Sequence, residues 1–475
     1  MKTLIRMIFA VVGLATVSCG QADKTLVLLS TNDMHARIQN FPRLATAVKQ
    51  CRDTTDWVML VDAGDRWTGN AYVDMAEVAG MPMIEMMNEL EYDVATVGNH
   101  EFDHGTKHLA QVIQKMNYPV ICANLKTHSE EFPELPPYII EEHDGLKIGF
   151  IGAVTNYENN GFPAGNPENF EGISFPEPQA EVARWAKQLR QQCDLLVLVS
   201  HMGDDRDLEL LEQKTQDLDL VLGGHTHVLI DTLVGKTLLT QTKKNLANVG
   251  VTVVRFEGKK LASVDFRVVS LDDYAADADY QKMCDGYYAN EELNRAVGEF
   301  TQKATKTGLA NWMARSSAEA AGCELGFYHI GGVRLDGIEK GGVGTAKFFD
   351  LEPFGSKIVK VKMTRDELRD MILVKYNDPE NRKEAHRVDL YSTTPYTIVV
   401  DERDEAQDVR FEGLRADRNY SVALPDYVYK NYKGVNKDSA TMTDIQVSKM
   451  LLDNLKKTKT FTPDNRAYQG VKRPK

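Results

Sequence analysis

Short apolar runs rich in β-branched residues recur along the first part of the chain, and segments with helical periodicity lie between several of them. Two such amphipathic segments are residues 108–116 and 180–192. Continuous apolar strands that alternate with helices are typical of a sheet buried on both faces. We therefore predict an α/β domain over residues 24–271 that ends in a β-hairpin with its turn at residues 257–260. The predicted strands cover residues 26–30, 58–61, 94–97, 120–123, 148–154, 195–200, 218–222, 251–256 and 261–269.

The pattern changes after residue 271. Residues 272–295 are polar, acidic and compatible with a helix, which predicts a connecting helix at a domain boundary. Residues 296–475 combine helical patterns near 309–321 and 365–375 with short apolar strands, which predicts a second, α+β domain. The length of 475 residues also suits two or three domains, because single cores stop growing at roughly 250–300 residues.

The N-terminus has the pattern of a targeting segment. Lys2 and Arg6 precede an apolar run over residues 7–17, which is too short to span a bilayer. The run ends before Ser18-Cys19-Gly20, a sequence similar to bacterial lipoprotein signals, in which Cys19 would be lipidated. An ordinary cleaved signal peptide is the alternative. In either case we expect residues 1–22 to act as a signal peptide and the protein to be exported to the periplasm or cell envelope, with membrane contact only through a lipid anchor at Cys19.

Composition narrows the range of partners. The chain is 43% hydrophobic and 26% charged, as in ordinary soluble globular proteins. Its formal net charge of −13 argues against a nucleic-acid polymer as partner, since phosphate backbones are bound by basic surfaces. A small phosphate anion can still bind if metal ions supply positive charge locally.

Side chains that can bind metal ions directly follow five of the predicted strands. The carboxyl ends of strands form the ligand-binding edge of open α/β sheets, so we expect these side chains to meet there. Each residue alone is weak evidence, because a lone histidine is more often structural than a ligand. Their joint occurrence, in order and each after a strand, favours a metal site. The candidates are Asp33, His35, Asp65, Asn99, His201, His225 and His227.

Phosphate-ester hydrolysis is a reaction that such ligands can support. Two cations roughly 3.5–4 Å apart can hold the attacking and leaving oxygens, and one of them can lower the pKa of a bound water. Asp65 could bridge both ions, because a carboxylate has two oxygens and a negative charge. A ligand set rich in histidine favours Zn²⁺ or another later divalent metal over Mg²⁺, while Mn²⁺, Co²⁺ and Mg²⁺ remain alternatives.

The order of the motifs identifies a family. The sequence resembles the 5′-nucleotidase family of calcineurin-like metallophosphoesterases, which includes bacterial periplasmic UDP-sugar hydrolase/5′-nucleotidases. This resemblance implies a β-sandwich flanked by helices over residues 24–271, followed by a substrate-recognition domain over residues 296–475. The motifs that carry it are Thr31-Asn32-Asp33-Met34-His35, Asp62-Ala63-Gly64-Asp65, Gly98-Asn99-His100-Glu101-Phe102-Asp103, Ser200-His201-Met202-Gly203 and Gly224-His225-Thr226-His227.

The resemblance also assigns roles within the first domain. It implies two divalent metal ions bridged by Asp65, and a catalytic dyad of His100 with Asp103. A histidine beside cations tends to lose its proton, and a neighbouring carboxylate favours the charged imidazolium. Such an imidazolium could stabilise charge on phosphorus or protonate the leaving oxygen. One metal would be held by Asp33, His35, Asp65 and His227, and the other by Asp65, Asn99, His201 and His225.

In the second domain the resemblance implies that a loop and two aromatic rings recognise the nucleoside. Gly331-Gly332-Val333-Arg334 matches the loop, and Phe354 and Tyr427 are the candidate rings. Arg334 suits a phosphate or carboxyl contact, and stacking tolerates different bases. The alternatives are core packing for the rings and a surface salt bridge for Arg334.

Two departures from the family pattern leave the substrate open. His329 precedes the glycines where the family usually has an asparagine-containing segment, and 430–434 replaces a Gly-Gly-Asp-Gly stretch. The leading hypothesis is a 5′-nucleotidase that releases phosphate from nucleotides by attack of metal-bound hydroxide. A 2′,3′-cyclic nucleotide phosphodiesterase or a UDP-sugar pyrophosphohydrolase is the alternative with the same chemistry. A non-catalytic nucleotide-binding or surface protein outside the cytoplasm is the alternative of another class. The sequence does not fix the oligomeric state.

Overall fold

The computed structural model describes residues 24–158, 161–213, 217–379, 381 and 388–474. The predicted signal peptide and Cys19 lie outside these residues. The chain divides into two compact units, which we describe separately. The first comprises residues up to Trp67, Gly80–Ala164 and Phe170–Gly286, and the second comprises Thr68–Ala79, Gly165–Asn169 and Tyr287–Lys475. Among the described residues, every helix is too short or too polar to cross a membrane.

The first unit contains two β-sheets. Among the described residues, each sheet has six strands, in the orders β14-β13-β1-β2-β3-β4 and β11-β12-β10-β9-β7-β6, and a short pair is formed by β5 with β8. The strands are β1 (Lys24–Thr31), β2 (Val58–Asp62), β3 (Val94–Thr96), β4 (Val120–Ile121), β5 (Lys126–Thr127), β6 (Tyr138–His143), β7 (Leu146–Val154), β8 (Ile173–Ser174), β9 (Leu195–His201), β10 (Leu220–Leu222), β11 (Leu229–Val234), β12 (Thr237–Thr242), β13 (Asn248–Glu257) and β14 (Lys260–Ser270).

The two sheets share one apolar core. Leu28 and Val61 from the first sheet belong to the same buried cluster as Phe150 and Val197 from the second. The opposite face of the second sheet packs on helices and forms a second buried cluster with them, which includes Val182 of α5. The helices up to the end of this unit are α1 (Phe41–Arg52), α2 (Ala71–Asp74, which clusters with the second unit), α3 (Met81–Glu89), α4 (Thr106–Ile113), α5 (Pro178–Leu189), α6 (Asp204–Glu212) and α7 (Ala278–Tyr288).

This arrangement confirms the predicted sandwich flanked by helices. The alternation of strands and helices by itself indicated one sheet, whereas the ligand-bearing strands divide between two: β1, β2 and β3 in one sheet, β9 and β10 in the other. A strand buried between a second sheet and a layer of helices is apolar on both faces, so its sequence does not reveal which layers cover it.

The second unit is an α+β domain, as predicted. Its main sheet has the order β21-β17-β24-β20-β25. Helix α9 begins at the N-cap Thr305 and ends at Gly322, whose φ of 63° suits glycine. The elements are α8 (Glu291–Asn294), β15 (Ala296–Phe300), β16 (Ala304–Thr305), α9 (Lys306–Ala321), β17 (Leu325–His329), β18 (Gly337–Ile338), β19 (Gly341–Gly344), α10 (Ala346–Leu351), β20 (Lys357–Thr364), α11 (Arg365–Asn377), β21 (Leu390–Ser392), β22 (Tyr396–Val400), β23 (Ala406–Phe411), β24 (Asn419–Pro425), α12 (Asp426–Asn431), β25 (Thr441–Gln446), α13 (Val447–Thr458), β26 (Thr460–Phe461) and β27 (Gln469–Lys472).

Candidate metal centre and active site

The predicted metal ligands of the first unit converge in two groups. In each group, one ligand atom from every residue lies within 4.8 Å of the others. The two groups share Asp65, which is the residue expected to bridge two cations. The first group is Asp33, His35, Asp65 and His227, and the second is Asp65, His201 and His225.

The ligand residues sit in unusual backbone conformations. Positive φ angles occur at Asp33 (49°), His35 (45°), Asp65 (57°), His225 (82°) and His227 (62°). Side chains other than glycine rarely adopt this region, and such strain concentrates at functional sites. The loops that follow the strands are therefore held in the conformation that turns these side chains toward one another.

Glycines allow the ligands to approach each other closely. A Cβ atom on Gly98 would lie 2.2 Å from Asp65 Oδ1 and 2.7 Å from His201 Nε2. A Cβ atom on Gly224 would lie 2.9 Å from His201 Nδ1. Larger residues at these positions would fill the space between the ligands.

His201 is oriented for coordination. Its Nδ1 atom donates to the carbonyl oxygen of Ala63 at 2.6 Å, so the neutral form of the ring carries its lone pair on Nε2. The Nε2 atom lies 3.2 Å from Asp65 Oδ2 and, among the described residues, has no hydrogen-bond partner. A fully buried ring nitrogen without a partner is costly unless a cation binds it. The donor set therefore fits a divalent metal ion.

Three more ligand atoms meet in the first group. His35 Nε2 and His227 Nε2 face each other at 2.9 Å, and His227 Nε2 lies 3.3 Å from Asp33 Oδ1. In the metal-free protein, burial opposes the ionisation of Asp33 and Asp65, but positive charge on the neighbouring imidazoles outweighs burial and holds the pKa of both carboxyl groups below the ordinary value. Both carboxylates thus remain negative at neutral pH.

Asn99 lies beside the second group. Its Oδ1 atom lies 3.0 Å from Nδ1 of His225. The other ring nitrogen of His225, Nε2, lies 3.0 Å from Oε1 of Glu158. The amide oxygen and the imidazole are both available as neutral ligands beside the shared carboxylate of Asp65.

His100 and Asp103 are in contact. His100 Nδ1 lies 2.7 Å from Asp103 Oδ2, so the carboxylate fixes the orientation of the ring. His100 Nε2 points toward the metal ligands, 3.9 Å from Asp65 Oδ2. The side chain of His100 is 12% exposed, which leaves it accessible from one side.

Reasoning from the sequence missed a buried ionic network that supports the centre. The Glu101 carboxylate accepts hydrogen bonds from the backbone N–H groups of Asp65, Arg66 and Gly98. The Arg66 guanidinium lies beside Glu101 and donates to Asp62 at 3.0 Å. Burial raises the pKa of Asp62 to about 7, although Arg66 counteracts it. The sequence offered one signal for this network: Glu101 directly follows the candidate site residues Asn99 and His100. An acidic residue that is buried at such a position needs hydrogen-bond partners, which an apolar core does not supply.

The three predicted substrate residues lie in the second unit. The Arg334 guanidinium carbon lies 5.7 Å from the centre of the Phe354 ring, close enough for a cation–π contact. The Tyr427 ring stacks on His329, with ring centres 4.8 Å apart and an angle of 19° between the planes. The structure thus brings Arg334 and Phe354 together and places Tyr427 beside the residue that departs from the family pattern.

The lysine of the second departure is already paired. Lys430 contacts Glu168 and donates to Asp426 at 3.1 Å. Asp426 is buried and also accepts from the backbone N–H of Lys357 at 3.1 Å. The positive charge of Lys430 is therefore largely neutralised within the second unit.

Comparisons with known proteins agree with this architecture. Residues 26–229 match the calcineurin-like phosphoesterase family and residues 287–438 match the 5′-nucleotidase C-terminal domain. The trifunctional nucleotide phosphoesterase YfkN of Bacillus subtilis is 26% identical over 75% of this chain, and the match spans 28% of YfkN. UshA of Yersinia enterocolitica is 25% identical over 85% of each chain. The crystal structure of a 5′-nucleotidase precursor from Thermus thermophilus superposes with a TM-score of 0.81 at 18% identity, covering 94% of this chain and 99% of that one.

The two family models together cover most of the chain, in the order expected from the motifs. The predicted family is thereby confirmed. This chain belongs to the 5′-nucleotidase family of calcineurin-like metallophosphoesterases, a family of metal-dependent phosphoester hydrolases.

Proposed function

We propose that this chain is an exported phosphohydrolase with two divalent metal ions that releases phosphate from nucleotides, as a 5′-nucleotidase. The observation that carries the proposal is the pair of ligand groups that share Asp65. The unpartnered Nε2 atom of His201 supports it, because this atom lies inside the second group. When bound, the two cations would supply hydroxide near neutral pH and neutralise the phosphoryl oxygens.

The side chains around the centre have separate tasks. Asp65 holds both sites at a fixed separation, and Asn99 adds a ligand without adding charge. His100 holds a proton at Nε2, which it can donate to a phosphoryl or leaving oxygen, while Asp103 accepts from Nδ1 and keeps the ring in place. This division follows the general pattern of a catalytic acid that is oriented by a carboxylate.

The residues of the second unit would recognise a nucleoside. Phe354 and Tyr427 offer aromatic faces for a base, and Arg334 offers a forked donor for an anionic group. Stacking does not distinguish strongly between bases, so we expect a broad range of nucleosides. Tyr427 stacks on His329, so the proposed subsite places a candidate ring against a residue that departs from the family pattern.

A substrate panel tests the proposal. The protein would be stripped of metal, reloaded with Zn²⁺, Mn²⁺, Co²⁺ or Mg²⁺, and offered nucleoside 5′-monophosphates, 2′,3′-cyclic nucleotides and UDP-glucose. We expect phosphate release to be fastest from the 5′-monophosphates. Faster turnover of the cyclic nucleotides or of UDP-glucose would make the chain a phosphodiesterase or a pyrophosphohydrolase instead. A lack of turnover with every metal would favour a binding protein.

Export is a separate part of the proposal and depends on residues 1–22. The test is fractionation of cells that express the full chain, together with labelling by a radioactive fatty acid. We expect the protein in the cell envelope, and we expect Cys19→Ala to abolish the label. A labelled Cys19→Ala variant, or retention of the wild type in the cytoplasm, would contradict this part alone.

A further inference from the structure

Glu158 lies at the edge of the metal centre, outside every predicted ligand motif. It follows β7 in a turn that begins at Thr155, whose backbone N–H donates to the carbonyl oxygen of His201 at 3.0 Å. The Thr155 hydroxyl lies 2.8 and 2.9 Å from the two carboxylate oxygens of Glu158. The side chain of Glu158 is 19% exposed. The turn thus fixes this carboxylate relative to the strand that carries His201.

The carboxylate of Glu158 contacts His225 on the side away from the other ligands. Oε1 lies 3.0 Å from Nε2 of His225, while Nδ1 of the same ring lies 3.0 Å from Oδ1 of Asn99. A neutral imidazole carries a single N–H, and a carboxylate can only accept. The hydrogen bond to Glu158 therefore places the proton on Nε2 and the lone pair on Nδ1.

In that tautomer two acceptors lie at hydrogen-bond distance, and either a second proton on the ring or a cation can lie between them. Nδ1 of His225 and Oδ1 of Asn99 are then two acceptors that face each other without a hydrogen between them. Two acceptors at this distance repel each other unless a positive charge lies close to both. The expected second metal site contains both residues, so a bound cation removes the repulsion.

We infer that Glu158 is a positioning residue that makes His225 a metal ligand through Nδ1. It accepts from Nε2–H, holds the ring in one tautomer and raises the basicity of the coordinating nitrogen, as carboxylates do behind metal-bound histidines in general. Glu158 is not itself a ligand in this arrangement, because its carboxylate faces the opposite ring nitrogen. The inference rests on the proposed function, since it assumes that the centre binds two metal ions.

Metal binding and proton NMR of the Co²⁺-loaded protein test the inference without any measurement of turnover. Removing such an outer carboxylate costs roughly 10- to 100-fold in metal affinity. We expect Glu158→Ala to raise one of the two Co²⁺ dissociation constants by this factor and to leave the other unchanged. Glu158→Gln should lose less, because its amide oxygen still accepts from Nε2–H.

The NMR measurement separates positioning from mere structural support. A histidine that binds Co²⁺ through Nδ1 shows a strongly shifted, exchangeable Nε2–H signal, which the loss in His225→Ala assigns to this residue. We expect Glu158→Gln to retain the signal and Glu158→Ala to lose it through fast exchange with water. Glu177→Gln is the matched control, because Glu177 accepts from the Tyr157 hydroxyl in the same region and caps α5.

The outcomes separate this inference from the proposed function. Suppose that the wild type binds two Co²⁺ ions and that Glu158→Ala binds both with the same affinities and keeps the Nε2–H signal. That result would overturn the inference and leave the proposed function intact. Equal loss of both sites in Glu158→Ala with a lowered melting temperature would also overturn it, because that result indicates a general structural role. Failure of the wild type to bind Co²⁺ would overturn both.

Discussion

At the scale of single residues, Glu101 determines how the bridging carboxylate is presented. One of its oxygens accepts from the backbone N–H groups of Asp65 and Gly98, and the other accepts from that of Arg66. All of these groups are buried, so each acceptor compensates a backbone donor that water cannot reach. Hydrogen bonds to the carboxylate of Glu101 therefore hold the turn that carries Asp65 in place.

Glu101→Gln should damage both stability and metal binding. In either orientation of the amide, its NH₂ group would face backbone donors, and Arg66 would lose one of its two anionic neighbours. We expect a loss of about 3 kcal/mol in the free energy of unfolding, as for other broken buried ion pairs. Urea denaturation measures this loss, and metal analysis by mass spectrometry should show reduced occupancy. Glu181→Gln is the control: Glu181 pairs with the exposed Arg184 at the surface, where loss of the pair costs only about 0.5 kcal/mol.

His100→Ala should reduce turnover without removing metal. No metal-ligand role is assigned to His100, and general acid catalysis contributes typically 10²- to 10⁴-fold, so we expect kcat to fall by roughly that factor. Asp103→Asn should show a smaller loss, because the ring remains but its orienting partner is weaker. Steady-state kinetics with a 5′-monophosphate measures both effects. If the His100→Ala variant keeps full turnover at unchanged metal content, the role assigned to the pair is wrong.

At the scale of elements, the active centre is a set of strand ends. The carboxyl ends of β1, β2, β3, β9 and β10 carry the ligands, and the loops after them adopt left-handed conformations at several ligand positions. The shape of the centre therefore depends on loops that a regular helix or strand could not replace. Where two of these loops meet, glycines allow the ligands to approach each other closely.

Gly98→Ala tests this dependence on close approach. The new methyl group would lie 2.2 Å from Asp65 Oδ1 and 2.7 Å from the Asp65 backbone nitrogen, so the bridging carboxylate has to move. We expect loss of both metal ions with retention of the circular dichroism spectrum. Gly286→Ala is the matched control, because a Cβ atom there meets nothing within 4 Å, and alanine in helix α7 should stabilise the protein by about 0.5–1 kcal/mol. Full metal occupancy in Gly98→Ala would refute the argument.

Strands buried on both faces are among the elements that sequence patterns predicted well. The predicted strand at 195–200 corresponds to β9 (Leu195–His201), all of whose residues are buried. In contrast, the pattern missed β11 (Leu229–Val234), an edge strand with mostly exposed residues, and β12 (Thr237–Thr242), a buried strand rich in threonine. Neither has the apolar run that marks a central strand. Edge pairing and burial of polar side chains depend on neighbours that are distant in sequence.

The same contrast applies to the candidate site. Asp65, His201 and His225 could be identified because each lies in a short local motif. Glu158 could not, because the role inferred for it depends on a turn beside His201 and on the ring of His225, which lies in the loop after β10, 67 positions later. Contacts of this kind become visible only when the tertiary structure brings separate loops together.

At the scale of the whole molecule, several buried carboxyl groups make stability depend on pH. Glu352 in the second unit is an example: one of its oxygens accepts from the Ser356 hydroxyl at 2.7 Å, while the other, among the described residues, has no hydrogen-bond partner. Burial raises the pKa of Glu352 to about 7, and the nearby charge of Asp426 acts in the same direction. The group therefore prefers to be neutral in the folded protein.

The sign of the effect on stability follows from proton binding. The folded state keeps its proton on Glu352 up to about pH 7, whereas the unfolded chain releases it near the ordinary value of 4.5. The stabilising contribution is complete below pH 4.5 and is lost as the pH rises through 7, by roughly 3 kcal/mol for a shift of this size. Glu352→Gln cannot titrate, so we expect its free energy of unfolding to vary less between pH 5 and 8 than that of the wild type. Urea denaturation of metal-free protein at several pH values measures both slopes, and parallel curves for the two proteins would show that Glu352 ionises normally despite its burial.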